Sequence, residues 1–106
     1  MTEEISPEEV KEKLDSDEDV QIIDIRSPLH YAQGHIPGSK NIPLPELTSQ
    51  LHEHEWSDEI IVTCQIGESS VQAARLLKAY EGVDGEARVM SMSGGYEEWE
   101  YELDSE

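Results

Sequence analysis

The sequence predicts an α/β domain in three layers, a mainly parallel central sheet with helices on both faces. Two short runs rich in β-branched residues, 20–25 and 60–63, read as strands buried on both sides. Each is followed by a helix-forming segment, so the strands are joined by crossovers and lie parallel. A length of 106 residues suits one domain, 1–106.

The elements follow in order. Ser6-Pro7-Glu8-Glu9 starts a helix: Ser6 caps it, Pro7 occupies the first turn and Glu9 completes a capping box, with Val10 and Leu14 on one face. Residues 15–19 form a polar turn and lead to the first strand, 20–25. Ser27-Pro28 restarts a helix that runs to about Gln33 and ends at Gly34. After a Gly- and Pro-rich segment, 34–45, comes a short amphipathic helix carrying Leu47 and Leu51, then the strand 60–63. A loop from Cys64 to Ser69 opens a helix from Ser70 to about Tyr80, with Ala73, Ala74, Leu76 and Leu77 as its apolar stripe. A last strand, 87–90, precedes Ser93-Gly94-Gly95 and a terminal helix holding Trp99. The glycines turn the chain into that helix, and Trp99 belongs to the core.

Charge and composition exclude several functions. The net charge is −18, only 36% of residues are apolar and there is no Phe, a balance that leans toward disorder. Residues 1–19 and 95–106 together account for −13 of that charge, leaving −5 over residues 20–94. The middle is therefore compatible with a packed core, and fraying is expected only at the acidic ends. With negative faces all round, neither nucleic acid nor an anionic membrane surface is an expected partner. No apolar run is long enough to span a membrane and residues 1–19 do not read as a signal peptide, so a cytoplasmic location is expected. Acidity this lopsided suits a halophile's cytosol, where concentrated salt screens self-repulsion.

Cys64 is the single cysteine, which rules out an internal disulfide and is too few for a structural zinc site. It follows a buried strand and precedes a helix, the place where parallel sheets bind ligands. The intervening Gln65-Ile66-Gly67-Glu68-Ser69-Ser70 is short, and Gly67 allows a positive φ that turns successive N–H groups inward. Such a cradle at a helix N-terminus favours an anion, and a thiolate there is a nucleophile. The same local pattern fits an inert, buried cysteine equally well.

Three segments resemble the rhodanese-like domain, a single-domain sulfurtransferase family. The first is Asp24-Ile25-Arg26, Tyr31 and Gly34-His35-Ile36-Pro37-Gly38-Ser39-Lys40-Asn41-Ile42-Pro43. The second, Cys64-Gln65-Ile66-Gly67-Glu68-Ser69-Ser70, is similar to the family's active-site loop in its Cys, Gly and final Ser. The third, Met92-Ser93-Gly94-Gly95-Tyr96-Glu97-Glu98-Trp99, is similar to a Gly-Gly-x-x-x-Trp signature. The resemblance implies the three-layer rhodanese-like fold and a Cys64 that accepts sulfane sulfur as a persulfide. Amides of residues 65–70 would bind the transferred sulfur, with no metal or organic cofactor. Implied partners are a small sulfur donor or persulfide-bearing protein and a sulfur-acceptor protein. The alternative within the family is a non-catalytic protein-binding module.

The loop departs from the family pattern in one respect. Catalytic members often carry Arg just before the final Ser, where this chain has Ser69, with Glu68 beside it. Thiosulfate is therefore expected to be a poor donor. A phosphatase needs Arg six residues after its Cys, and position 70 is Ser. Asp24 and Arg26 are expected to form an ion pair that braces the turn before Ser27, with a place lining the pocket as the weaker reading. His35 resembles a position that supports the fold, with a Cys–His hydrolase as the weaker reading. His52 and His54, two apart, fall on different sides of a helix and are expected on a solvated surface, not at a metal.

Overall fold

A computed structural model of the chain describes residues 2–105. Five strands form one sheet: β1 (Glu3–Ile5), β2 (Gln21–Asp24), β3 (Lys40–Asn41), β4 (Glu59–Thr63) and β5 (Arg88–Met92). Their order across the sheet is β1-β5-β4-β2-β3, and every strand pairing is parallel. The helices are α1 (Pro7–Asp15), α2 (Pro28–Gln33), α3 (Leu44–Gln50) and α4 (Ser69–Ala79), with 3-10 turns at Leu51–Glu53 and Gly95–Glu98.

The alternation of side chains along β4 builds two cores. Ile60 and Val62 face one side, packing with Leu47, Leu51, Ala73, Ala74 and Leu77 from α3, the first 3-10 turn and α4. Ile61 faces the other, with Val10 of α1, Ile36, Met90, Met92 and Trp99. All three β4 residues are fully buried, each contributing about 2 kcal/mol of transfer free energy. Burial on both faces explains the unbroken apolar run.

The helix starts follow their sequence signals. Ser6 Oγ accepts from the Glu9 amide at 3.1 Å while the Glu9 carboxylate accepts from the Ser6 amide at 3.3 Å, a closed capping box. Ser27 caps α2 by accepting from the His30 amide.

Several elements differ from the sequence reading. β1 and β3 were not expected: β1 lies in the acidic N-terminal stretch, and each is too short for a periodic pattern. Leu76 is 37% exposed and does not share the buried stripe of α4. Residues 95–98 make a single 3-10 turn, and Trp99 caps it as an 8% exposed core residue instead of lying inside a helix. Glu3–Ile5 pairs with β5, and Asp104 forms an antiparallel bridge with His35. No helix among the described residues is long and apolar enough to cross a membrane.

Candidate active site

β4 is the central strand, and it delivers Cys64 to the carboxyl edge of the sheet. Residues 64–68 then turn directly into α4. Sγ accepts from the Gly67 amide at 3.1 Å and from the Ser70 amide, in the first turn of α4, at 3.3 Å. Ser70 Oγ lies 3.3 Å from Sγ. Two amides thus converge on a sulfur that is 4% exposed, and their dipoles favour negative charge there. Gly67 reaches this geometry at φ +87°, where a Cβ would stand 2.7 Å from the Gly94 nitrogen.

The rear of the loop is held as firmly. The Tyr96 amide donates to the Cys64 carbonyl at 2.9 Å and the Glu97 amide to the Gln65 carbonyl at 3.1 Å. The 3-10 turn therefore anchors the loop as well as ending the sheet. Behind the sulfur, Ser70 Oγ is 2.7 Å from Ser91 Oγ of β5, both residues fully buried.

A profile for the family described as the rhodanese-like domain matches residues 6–102. The chain belongs to the rhodanese-like domain family. It is 41% identical over 96 residues to the protein named thiosulfate sulfurtransferase GlpE of Pseudoalteromonas translucida, covering 91% of this chain and 87% of that one. It is 38% identical over 96 residues to YrkF of Bacillus subtilis, a candidate sulfur carrier, covering 91% of this chain but spanning only 50% of YrkF. Among solved structures, a rhodanese-like domain protein of Staphylococcus aureus superimposes with a TM-score of 0.81 at 28% identity over 99% of both chains. The human single-domain sulfurtransferase TSTD1 gives 0.77 at 27% identity over 93% of this chain and 96% of its own.

In this rhodanese-like domain, Gly67 and Ser70 are the loop residues whose amides reach Sγ; Gln65, Ile66, Glu68 and Ser69 lie exposed along the rim. Asp24 is fully buried and its carboxylate takes the Arg26 guanidinium at 2.8–3.1 Å. Arg26 also donates to the Gly34 carbonyl at 2.7 Å and lies 3.6 Å over the Tyr96 ring. Burial disfavours the charged guanidinium, but the Asp24 carboxylate outweighs it and holds the Arg26 pKa above its ordinary value. Burial, reinforced by the Asp24 charge, pushes the Tyr96 hydroxyl up to about 12. That hydroxyl accepts from the Ile36 amide at 3.1 Å. Asp24, Arg26 and Tyr96 thereby connect the end of β2 to the turn that grips the Cys64 loop.

His35 serves the same framework. Its Nδ1 donates to the Tyr31 carbonyl at 2.7 Å and its ring stacks on Tyr31, with centroids 3.8 Å apart. None of the hydrogen-bond partners of Sγ is a histidine. His52 is exposed, and His54 packs edge-on against Trp56. Among the described residues no group of three or more His, Cys, Asp or Glu side chains could hold a metal.

Ser91 was not singled out by the sequence reading. Its signal was a lone polar residue inside the strand run Val89-Met90-Ser91-Met92, since a buried hydroxyl requires a partner.

Proposed function

We propose that this rhodanese-like domain, acting as one unit over residues 1–106, transfers sulfane sulfur through a persulfide on Cys64. The convergence of the Gly67 and Ser70 amides on Sγ carries this reading. In the first step the Cys64 thiolate attacks the outer sulfur of a donor. The new S–S bond forms as the donor's own bond to that sulfur breaks, its electron pair leaving on the donor thiolate, or on sulfite when thiosulfate is the donor. An acceptor nucleophile then takes the outer sulfur and the electron pair returns to Sγ. No second cysteine exists to resolve the persulfide as an internal disulfide, so the sulfur leaves for an external acceptor.

Backbone amides of residues 65–70 bind the outer sulfur, and neither step calls for a metal or an organic cofactor. Asp24, Arg26 and His35 support the site without touching the sulfur. Residues 65–70 include no cation, and Glu68 adds a negative charge, so the dianion thiosulfate is disfavoured. The physiological donor is a persulfide on a small thiol or a protein, and the acceptor is a sulfur-accepting protein. The relatives named sulfur carrier and sulfurtransferase support this class of partner. The reaction belongs in the cytoplasm, where reducing conditions keep a lone thiol free.

Thiocyanate formation from glutathione persulfide and cyanide tests the reading. Wild-type protein is expected to turn over and Cys64→Ala to lose the activity; equal rates would overturn the assignment. A wild-type protein inert toward persulfide donors would favour the non-catalytic binding module.

A further inference from the structure

We propose that Ser91 is a positioning residue for sulfur transfer, acting on Cys64 through the Ser70 hydroxyl. The inference rests on the persulfide reading above and concerns a residue outside the loop that carries the nucleophile. Three observations combine: Sγ to Ser70 Oγ is 3.3 Å, Ser70 Oγ to Ser91 Oγ is 2.7 Å, and both serines have no exposed surface.

Hydrogen-bond valence sets the direction of the chain. A thiolate only accepts, so with Cys64 ionised the single Ser70 proton points at Sγ. At 2.7 Å from Ser91, Ser70 Oγ must then accept, and the Ser91 hydroxyl donates to it. Each donation polarises the next, which strengthens the bond that ends on sulfur. With Cys64 as a thiol, Sγ–H donates to Ser70 instead and the Ser70–Ser91 bond can reverse. The two hydroxyls therefore reorient with the charge on sulfur and need no water at this buried position.

The relay bears on both halves of the cycle. Before sulfur arrives it favours the nucleophilic thiolate. When the acceptor attacks the outer sulfur, the S–S bond breaks and its electron pair collects on Sγ. Ser70, polarised by Ser91, donates to this developing charge, and a better-stabilised thiolate leaves faster. The charged groups on the segments packed around Cys64 are the buried Asp24–Arg26 pair at the end of β2, Glu68 in the loop, and Glu97 and Glu98 on the 3-10 turn; the three glutamates are exposed, and the first turn of α4 carries no acid.

The test follows Cys64 alkylation by iodoacetamide against pH, together with single-turnover discharge of the preformed persulfide to cyanide. Ser91→Ala is expected to move the alkylation profile to higher pH and to slow discharge about three- to tenfold, the worth of one hydrogen bond. Ser91→Thr, which keeps the hydroxyl, should restore both. In a Ser70→Ala background, Ser91→Ala should change neither. If Ser91→Ala does not fold, the isosteric pair Ser91→Thr and Ser91→Val isolates the hydroxyl. A wild-type profile and discharge rate in Ser91→Ala, or an equal effect with and without Ser70, overturns the relay. Alkylation does not depend on sulfur transfer, so a wild type that takes up no sulfur would refute the persulfide reading separately.

Discussion

The backbones of Gly95 and Cys64 are in such close contact that a Cβ at Gly95 would stand 2.4 Å from the Cys64 carbonyl oxygen. That carbonyl cannot withdraw without losing the Tyr96 amide at 2.9 Å. The glycine pair at 94–95 therefore does more than turn the chain: it leaves room for the loop that carries the nucleophile.

Gly95→Ala should accordingly disturb stability and site together. The positive φ of +60° and the backbone clash predict a loss of at least about 2 kcal/mol in urea unfolding, with sulfur transfer falling further than stability alone explains. Gly38 is the control. It also has a positive φ, +83°, but nothing lies within 4 Å of its Cβ direction, so Gly38→Ala should cost about 1 kcal/mol and leave activity intact.

The buried pair at the end of β2 predicts a different signature. Arg26→Leu strands the fully buried Asp24 carboxylate and should cost about 3–5 kcal/mol, whereas Asp24→Leu with Arg26→Leu should recover most of that loss. Chemical denaturation of the two variants decides it; equal destabilisation would mean that the pair itself, not the stranded charge, carries the energy.

Tyr96 supplies a pH prediction. Its hydroxyl pKa is about 12 in the folded chain, because burial and then the Asp24 charge disfavour the phenolate, against 10.0 ordinarily. Below pH 10 both states keep the proton and the stabilisation is complete. From pH 10 to 12 the unfolded chain loses the proton first, so stability falls by up to about 1.4 kcal/mol per pH unit. Tyr96→Phe should flatten that part of the stability curve, and an unchanged slope would contradict the shift.

A cation placed where the loop has none should change donor preference. Ser69 is exposed at the start of α4, so Ser69→Arg is expected to raise kcat/KM for thiosulfate about tenfold or more, with a smaller change for glutathione persulfide. Steady-state thiocyanate assays with the two donors measure it. A uniform change would indicate that charge does not select the donor.

The acidity predicts salt dependence. Between molar salt and about 0.1 M the Debye length grows from about 3 to about 10 Å, so a chain of net charge −18 repels itself increasingly. Tm should fall by about 5 °C or more, near 1 kcal/mol at this size. A constant Tm would remove the halophile argument and leave Cys64 untouched.

The central sheet was legible because β2 and β4 are buried on both faces, and burial of that kind writes a continuous apolar run. The starts of α1 and α2 were legible because Ser6-Pro7 and Ser27-Pro28 satisfy local backbone groups. β1 was not, since Glu3–Ile5 is a three-residue edge strand whose form depends on pairing with β5, 85 or more residues away. The 95–98 turn looked like a helix because Trp99 follows the glycines at helical spacing, yet a single 3-10 turn already buries it. At the site, the loop motif pointed to Gly67 and Ser70, but Ser91 enters only through the tertiary pairing of β4 and β5.

Intact-mass spectrometry after brief exposure to glutathione persulfide reads sulfur transfer through Cys64 without an acceptor assay. Wild-type protein should gain one sulfur, lose it on addition of cyanide, and show no gain as Cys64→Ser. A wild type that gains nothing, or a Cys64→Ser variant that takes up the same sulfur, would contradict transfer through Cys64.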